Sequence, residues 1–480
     1  MKKILSAIVS ASLLCGAGVP ARAAEAPAAL TAPVVAKLDA AVTAATSDAT
    51  GSAPAVSIAI VENGRIAYTR AAGLEDVAAG RKATTATRFR IGSITKMFTA
   101  VAVMQLVERG AMRLDATLAT YLHNAPHAHE VTIRQLLMHT SGIPDFGDEA
   151  ITSGAVGMAT TPAAILASMG GKPLIFAPGS RYAYSNTGYV LLGLAIEHVA
   201  KMPLAAYERT HIFVPAGMRD TTVGAWAAAP GTATGYMDAA ATPTPPLDAS
   251  WFFAAGDMVS TPSDLARFDI ALMNGALVTP AMFAQMRATS VATGEEGVRY
   301  GLGMTLFPLA DETFVGHHGG LPGFAADNEM LPSAHFAVVV CGSAFTFSTA
   351  GLNGPVLATL LPVTAAHAVA ERKATMLVAG AGEDPAATAR FAAFFTGLQQ
   401  GRVDRSTLTD EMNAQLTAER LPDVAQQLAT LGTLQKLIFH NKVDQGAGIV
   451  YHYTGVFSQQ TTPMTFAVDK NGKIAGLFLL

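Results

Sequence analysis

The stretch TRFRIGSITKMFTAVAVMQLVERG, Thr87–Gly110, decides how the rest of the chain is read. From Ser93 to Arg109 it holds no Gly or Pro, and Gly110 follows as a stop, so the pattern predicts a helix. Phe98, Val101, Ala102 and Leu106 recur at helical spacing, which makes the helix a buried one. Inside this apolar run, Ser93 and Lys96 stand three residues apart, putting a hydroxyl and an amine on one face. A serine hydroxyl is a poor nucleophile until a base takes its proton, and a desolvated lysine can be that base. The helix N-terminus adds free N–H groups suited to an oxyanion. Alone, the pair is weak evidence, because Ser is also a common N-cap and a chain of this length holds about one S-x-x-K by chance.

Outward from the helix, 55–71 (AVSIAIVENGRIAYTRA) reads as two strands joined by Asn63-Gly64, a strong hairpin signal. Strand character returns over 299–342 in RYGLGMTLF, TFVGHH, FAADNEML and HFAVVVCG, with short turns that suggest an antiparallel meander. The middle of the chain mixes helical patterns with Pro- and Gly-rich loops. Strands at both ends with helices between predict an α/β (α+β) fold: an antiparallel sheet flanked by helices and carrying a helical subdomain over about 30–365. A composition shift follows, read as a linker over 366–385. Residues 386–480 then look like a small α+β domain, with helical patterns, four β-like runs and a turn at Asn471-Gly472.

Composition limits the function classes. Of 480 residues half are hydrophobic and 14% charged, which excludes a disordered chain and supplies a large core. Residues 1–23, MKKILSAIVSASLLCGAGVPARA, have the basic start, apolar run and Ala21-Arg22-Ala23 site of a secretory signal peptide cleaved near Ala23. The expected location is therefore periplasmic or secreted, with no membrane span in the mature chain. Removing Lys2, Lys3 and Arg22 takes the formal charge from −4 to −7, which argues against nucleic acid as a partner. Cys341 then stands alone in an apolar strand pattern and reads as a buried, inert thiol. His123, His127 and His129 could hold a metal, but no Cys or patterned carboxylate supports them, and a solvated loop is the better reading. No metal and no cofactor is called for. G-x-S-x-G and H-E-x-x-H are both absent from the sequence.

Two further segments change the weight of Ser93 and Lys96. One contains Tyr184-Ser185-Asn186, the other His317-His318-Gly319. S-x-x-K, Y-x-N and H-x-G in this order resemble the serine β-lactamase and penicillin-binding-protein superfamily, most closely its class C branch with related esterases and D-amino-acid peptidases. The connectors 135–146 (QLLMHTSGIPDF), 254–268 (AAGDMVSTPSDLARF) and 300–304 (YGLGM) are similar too, and the resemblance covers roughly 35–360. It implies that Ser93 is acylated, that Lys96 holds or accepts its proton, and that Tyr184 is a base or relay with its phenol pKa pulled down by Lys96. It further implies that Asn186 bonds Lys96 and a substrate amide, and that the backbone N–H groups of Ser93 and Gly320 form an oxyanion hole. Gly319 and Gly320 suit a strand edge that substrate approaches closely.

His317, expected with Asn186, Gly319 and Gly320 to bind substrate, stands where β-lactamases usually carry Lys. A mostly neutral imidazole leans the expectation toward ester, amide or peptide substrates without an obligatory carboxylate, with β-lactams as a weaker option. His139 is read as structural, bracing its loop, and Asp257 replaces a Gly common in such segments. The C-terminal segment is similar to small cone-shaped domains related to nuclear transport factor, and a stabilising appendage is its favoured role. The expectation is an exported serine hydrolase acting through an acyl-enzyme; the alternative is a penicillin-binding sensor or non-hydrolysing binding module. Homo-oligomerisation is left open.

Overall fold

A computed structural model describes residues 25–479, apart from 48–50, 148–149, 151–152, 225, 227–230, 296 and 445–447. The segment expected to be a signal peptide lies outside the described residues. The chain divides into two compact units, Met1–Ala368 and Val369–Leu480.

In the first unit, helix α1 (Ala32–Ala44) precedes strands β1 (Ala55–Glu62) and β2 (Arg65–Asp76). Asn63 and Gly64 join the two strands with φ of 51° and 71°. Both positions need the left-handed region, which is why this pair was legible as a hairpin. Helix α2 (Thr95–Glu108) comes next, and the meander expected over 299–342 forms as strands Thr305–Leu309, Glu312–Leu321, Phe324–Leu331 and Phe336–Gly342. β1 then pairs antiparallel with Phe336–Gly342, Val56 opposite Gly342, so the two ends of the unit meet in the middle of one sheet.

That central position explains the apolar runs. Ala55, Ala59 and Val61 of β1 enter one core cluster while Val56, Ile58 and Ile60 enter another. Phe336–Gly342 divides in the same way, with Cys341 buried among the first set. One face packs on the helical layer that includes α2; the other packs on α1 and the helix Thr349–Leu360. Strands covered on both faces lose the apolar–polar alternation of a half-exposed sheet. Burial pushes the Cys341 thiol up, so it stays protonated.

α2 is buried from Thr95 through Leu106, which leaves no solvent face for its polar residues. Each finds an internal partner. Thr99 Oγ1 donates to Ala254 O at 2.8 Å, and Gln105 Nε2 donates to His211 O and Leu277 O at 3.0 and 2.9 Å. Phe98 stacks on Phe268, centroids 4.0 Å apart, a contact worth about 0.5–1.5 kcal/mol beyond its buried area. No single helix among the described residues is long and apolar enough to cross a membrane.

In the second unit, helices Pro385–Gln399 and Leu421–Ala429 accompany four antiparallel strands, Leu434–Asp444, Gly448–Phe457, Thr461–Asp469 and Ile474–Leu479. Phe391, Phe395, Tyr453 and Phe466 fill the space between. The stretch expected as a linker, 366–385, is largely structured. Helix Pro362–Met376 runs into it, favoured by its alanines, and Gly380 N–H donates to Phe439 O at 2.7 Å.

Candidate active site

Ser93 lies in the 3₁₀ turn Gly92–Ile94 that feeds α2, and Lys96 follows one turn later with 0% of its surface exposed. A second helix, Asn186–Ala200, brings the other motif. Ser185 caps it, its Oγ accepting from Gly188 N–H at 3.3 Å, so Tyr184 stands just before the cap and Asn186 opens the helix. Lys96 Nζ lies 2.9 Å from Ser93 Oγ, 2.8 Å from Asn186 Oδ1 and 2.7 Å from Ala255 O. The Tyr184 hydroxyl donates to Ser93 Oγ at 2.7 Å.

The charge state of Lys96 follows from this setting. Burial lowers its pKa to about 7, with Asp145 pulling the other way. Neutral, the amine keeps two hydrogens and one lone pair. Asn186 Oδ1 and the Ala255 carbonyl can only accept, so they take the two hydrogens. The lone pair is left facing Ser93 Oγ, placed to receive the hydroxyl proton.

Tyr184 departs from expectation. Its phenol pKa was expected to be pulled down by Lys96; burial instead drives it well above its ordinary value. A lysine that is itself half neutral at pH 7 supplies too little field to offset lost solvation. Tyr184 therefore holds its proton at neutral pH.

His317 is set into the interior. It is 5% exposed and bonded at both nitrogens, Nδ1 to His318 O at 2.6 Å and Nε2 to the Tyr300 hydroxyl at 2.9 Å. A carbonyl only accepts, so Nδ1 carries the hydrogen and Nε2 accepts from Tyr300. Burial, then the charge of Lys96, lowers its pKa to about 3, so it is neutral. Both nitrogens serve the protein interior, and the cationic anchor that a Lys would give is missing here.

The glycines of the third motif act through the backbone. A Cβ on Gly319 would sit 1.9 Å from Ile91 O, and one on Gly92 would sit 3.0 Å from Gly320 N. Absent side chains let the strand Glu312–Leu321 lie directly on the turn that carries Ser93. Gly319→Ala is expected to cost about 1–3 kcal/mol by overpacking and to slow acylation of Ser93 by pushing Gly320 outward. A thermal melt with a timed Ser93 labelling assay checks this; an unchanged variant would contradict the packing.

Sequence reasoning missed Asp145, although its segment had been singled out. Its Oδ1 accepts from the backbone N–H groups of Asn186 and Thr187 at 2.7 and 3.3 Å, and its Oδ2 accepts from Asn186 Nδ2 at 3.0 Å. A carboxylate only accepts, so it fixes which way the Asn186 amide points, oxygen toward Lys96. One of the amide protons expected to meet substrate is thus committed to Asp145. The available signal was that Asp145 is the one acid in the connector 135–146. His139 braces the site as expected: Nδ1 accepts from Ser185 N–H at 3.1 Å and its ring lies 4.2 Å from that of Tyr184. Asp257 carries Trp226 through its backbone carbonyl, which accepts from indole Nε1 at 2.8 Å. Nothing in the structure explains why its side chain replaces a Gly. His127 is held by Glu130 and the Lys172 carbonyl, at 2.7 and 2.8 Å, while His123 and His129 pack edge to face.

Comparison with known proteins gives one family match, described as Beta-lactamase, over residues 35–370. A putative penicillin-binding protein, PbpX, of Bacillus subtilis (strain 168) is 30% identical over 286 residues, 58% of this chain and 68% of its own length. Among solved structures, D-amino acid amidase from Ochrobactrum anthropi SV3, complexed with L-phenylalanine amide, aligns with a TM-score of 0.61 and 28% identity over 71% of this chain and all of its own. A D-stereospecific amidohydrolase from Streptomyces sp. aligns with a TM-score of 0.56 and 26% identity over 68% of this chain and 98% of its own.

Proposed function

Because the chain belongs to the beta-lactamase family, within a superfamily of serine hydrolases, we propose that it hydrolyses esters or D-amino-acid amides and peptides through a covalent acyl-enzyme at Ser93. The observation that carries this is Ser93 Oγ lying within hydrogen-bond reach of both Lys96 Nζ and the Tyr184 hydroxyl. Ser93 Oγ bonds to the substrate carbonyl carbon while its proton passes to Lys96. The negative oxygen is met by the backbone N–H groups of Ser93 and Gly320. As the bond to the leaving group breaks, Tyr184 gives its proton to that group and is reprotonated from Lys96, so no proton is lost. Water then attacks the ester, its proton returns through the same residues, and Ser93 is released.

The neutral, internally bonded His317 favours substrates whose leaving group needs no cation, which puts esters and amides ahead of β-lactams. Export rests on the leader pattern of residues 1–23, and we place the enzyme in the periplasm or outside the cell on that ground. For Val369–Leu480 we propose a stabilising role without chemistry.

The test uses residues 24–480, a fluorescent fluorophosphonate and a fluorescent penicillin, with the adduct located by mass spectrometry. Labelling of Ser93 by the fluorophosphonate alone is the expected result. Labelling by both admits β-lactams to the cleft. If neither labels Ser93, the hydrolase reading falls and the binding module replaces it. A burst of one equivalent with no steady-state turnover would identify a sensor.

A further inference from the structure

Resting on that acyl-enzyme reading, we propose that Arg90, held against the rings of Trp226 and Phe324, recognises a carboxylate on the acyl half of the substrate. Arg90 ends the short strand Phe89–Arg90, pairs with Val259 and stands three residues before Ser93. Its guanidinium carbon lies 4.2 Å from the Trp226 ring centroid and 5.4 Å from that of Phe324. Among the described residues no carboxylate pairs with it and no hydrogen bond reaches its side chain; Nε is shut off from solvent without a partner. Burial alone lowers its pKa, to about 10, so it stays charged at neutral pH.

Arg287 and Arg390 also lie over rings without a carboxylate, but each donates to a backbone carbonyl, and Arg181 over Phe176 is exposed; Arg90 is part-buried with neither kind of partner among the described residues. Arg88, two residues earlier, is paired with Asp220 at 2.7 Å, and Arg134 and Arg267 hold Asp115 and Asp264. Arginine is rarely buried without an anion, because the desolvation cost goes unmatched. Aromatic faces recover part of it and cover the flat sides of the guanidinium, leaving the N–H edge for a planar acceptor. A carboxylate meets that edge with two parallel hydrogen bonds.

The reaction geometry gives the side of the substrate. Tyr184 protonates the leaving group, so that group lies toward Tyr184 and His317, whose ring centroids are 6.3 Å apart. The motif strand runs from His317 past Gly319 and Gly320 to a hairpin at Leu321–Phe324. The acyl half extends from the oxyanion position toward that hairpin, where Phe324 meets Arg90 and Leu321 packs with Trp226. The family's lysine on this strand stands at the His317 end, so Arg90 selects a different part of the substrate.

The experiment compares two para-nitrophenyl esters of one shape, of para-carboxyphenylacetic and para-methylphenylacetic acid. In the wild type, kcat/KM is expected to favour the acidic ester by about tenfold or more, as one charged hydrogen-bonded contact would give. Arg90→Met should bring the ratio to about one, and Arg90→Lys to an intermediate value. Raising NaCl toward about 1 M should shrink the wild-type ratio, a readout that needs no folded variant. A wild-type ratio of one or below, or a ratio that survives Arg90→Met, overturns the proposal while turnover of the neutral ester and fluorophosphonate labelling leave the hydrolase standing. Loss of both of those in the wild type overturns the hydrolase reading and this one with it.

Discussion

Ser93→Ala is expected to lower kcat/KM for ester and amide substrates by about 10⁴-fold or more and to abolish labelling by active-site probes, while the protein melts near the wild-type temperature. The loss is large because the step needs an atom that forms a bond to carbon, and no other hydroxyl in the constellation is placed to do so. The stability expectation is separate and just as specific. Ser93 makes no side-chain cap to α2 or to the turn before it, so the ordinary structural use of a serine near a helix start does not apply. Removing its Oγ takes one partner from Lys96 and one from Tyr184, a net loss of about 1–3 kcal/mol. Mass spectrometry of the probe-treated variant and a thermal melt read both halves. Full activity in Ser93→Ala would sink the mechanism; a collapsed melt would show that its inactivity says nothing about chemistry.

Lys96 carries the second large effect. Lys96→Ala should cost about 10²–10⁴-fold in kcat/KM, the usual range for a positioned general base. Lys96→Arg should be as inactive although it keeps a cation, because a guanidinium does not give up its proton and cannot accept one from Ser93. The pH dependence has a definite sign. Burial lowers the ammonium pKa to about 7, so below that pH the amine is protonated and Ser93 has no acceptor. Activity should rise with pH through an apparent pKa near 7 and then stay level. Burial holds Tyr184 protonated well past its ordinary range, so loss of that proton belongs to the far alkaline side. A pH–rate profile on a neutral ester checks this. An acid limb near 4, or none, would assign the proton to another group.

The parts of this site readable in the sequence are those that depend on neighbours a few residues away. The Ser93–Lys96 spacing and the Asn63-Gly64 turn both follow from local backbone geometry. The helix begins at Thr95, after a 3₁₀ turn at the serine, so even its start was nearly legible. What misled was charge. Tyr184 was expected to acidify, because it was judged by the lysine beside it. Desolvation decides its state, and it sums over atoms contributed from distant parts of the chain.

Sequence by itself therefore determined the fold class and the family resemblance and singled out Ser93, Lys96, Tyr184, Asn186, Gly319 and Gly320 as candidates, because turn chemistry, apolar periodicity and motif order are written locally. Only the tertiary structure decided the protonation of Lys96, Tyr184 and His317, the hold of Asp145 on Asn186, and the exposure of an unpaired Arg90 to two aromatic rings. Each of these depends on which groups, 159 positions apart for Ala255 and Lys96 and 234 for Phe324 and Arg90, share one small volume from which water is excluded. A linear sequence records the groups; folding sets their distances and their solvent, and the electrostatics follow from those two.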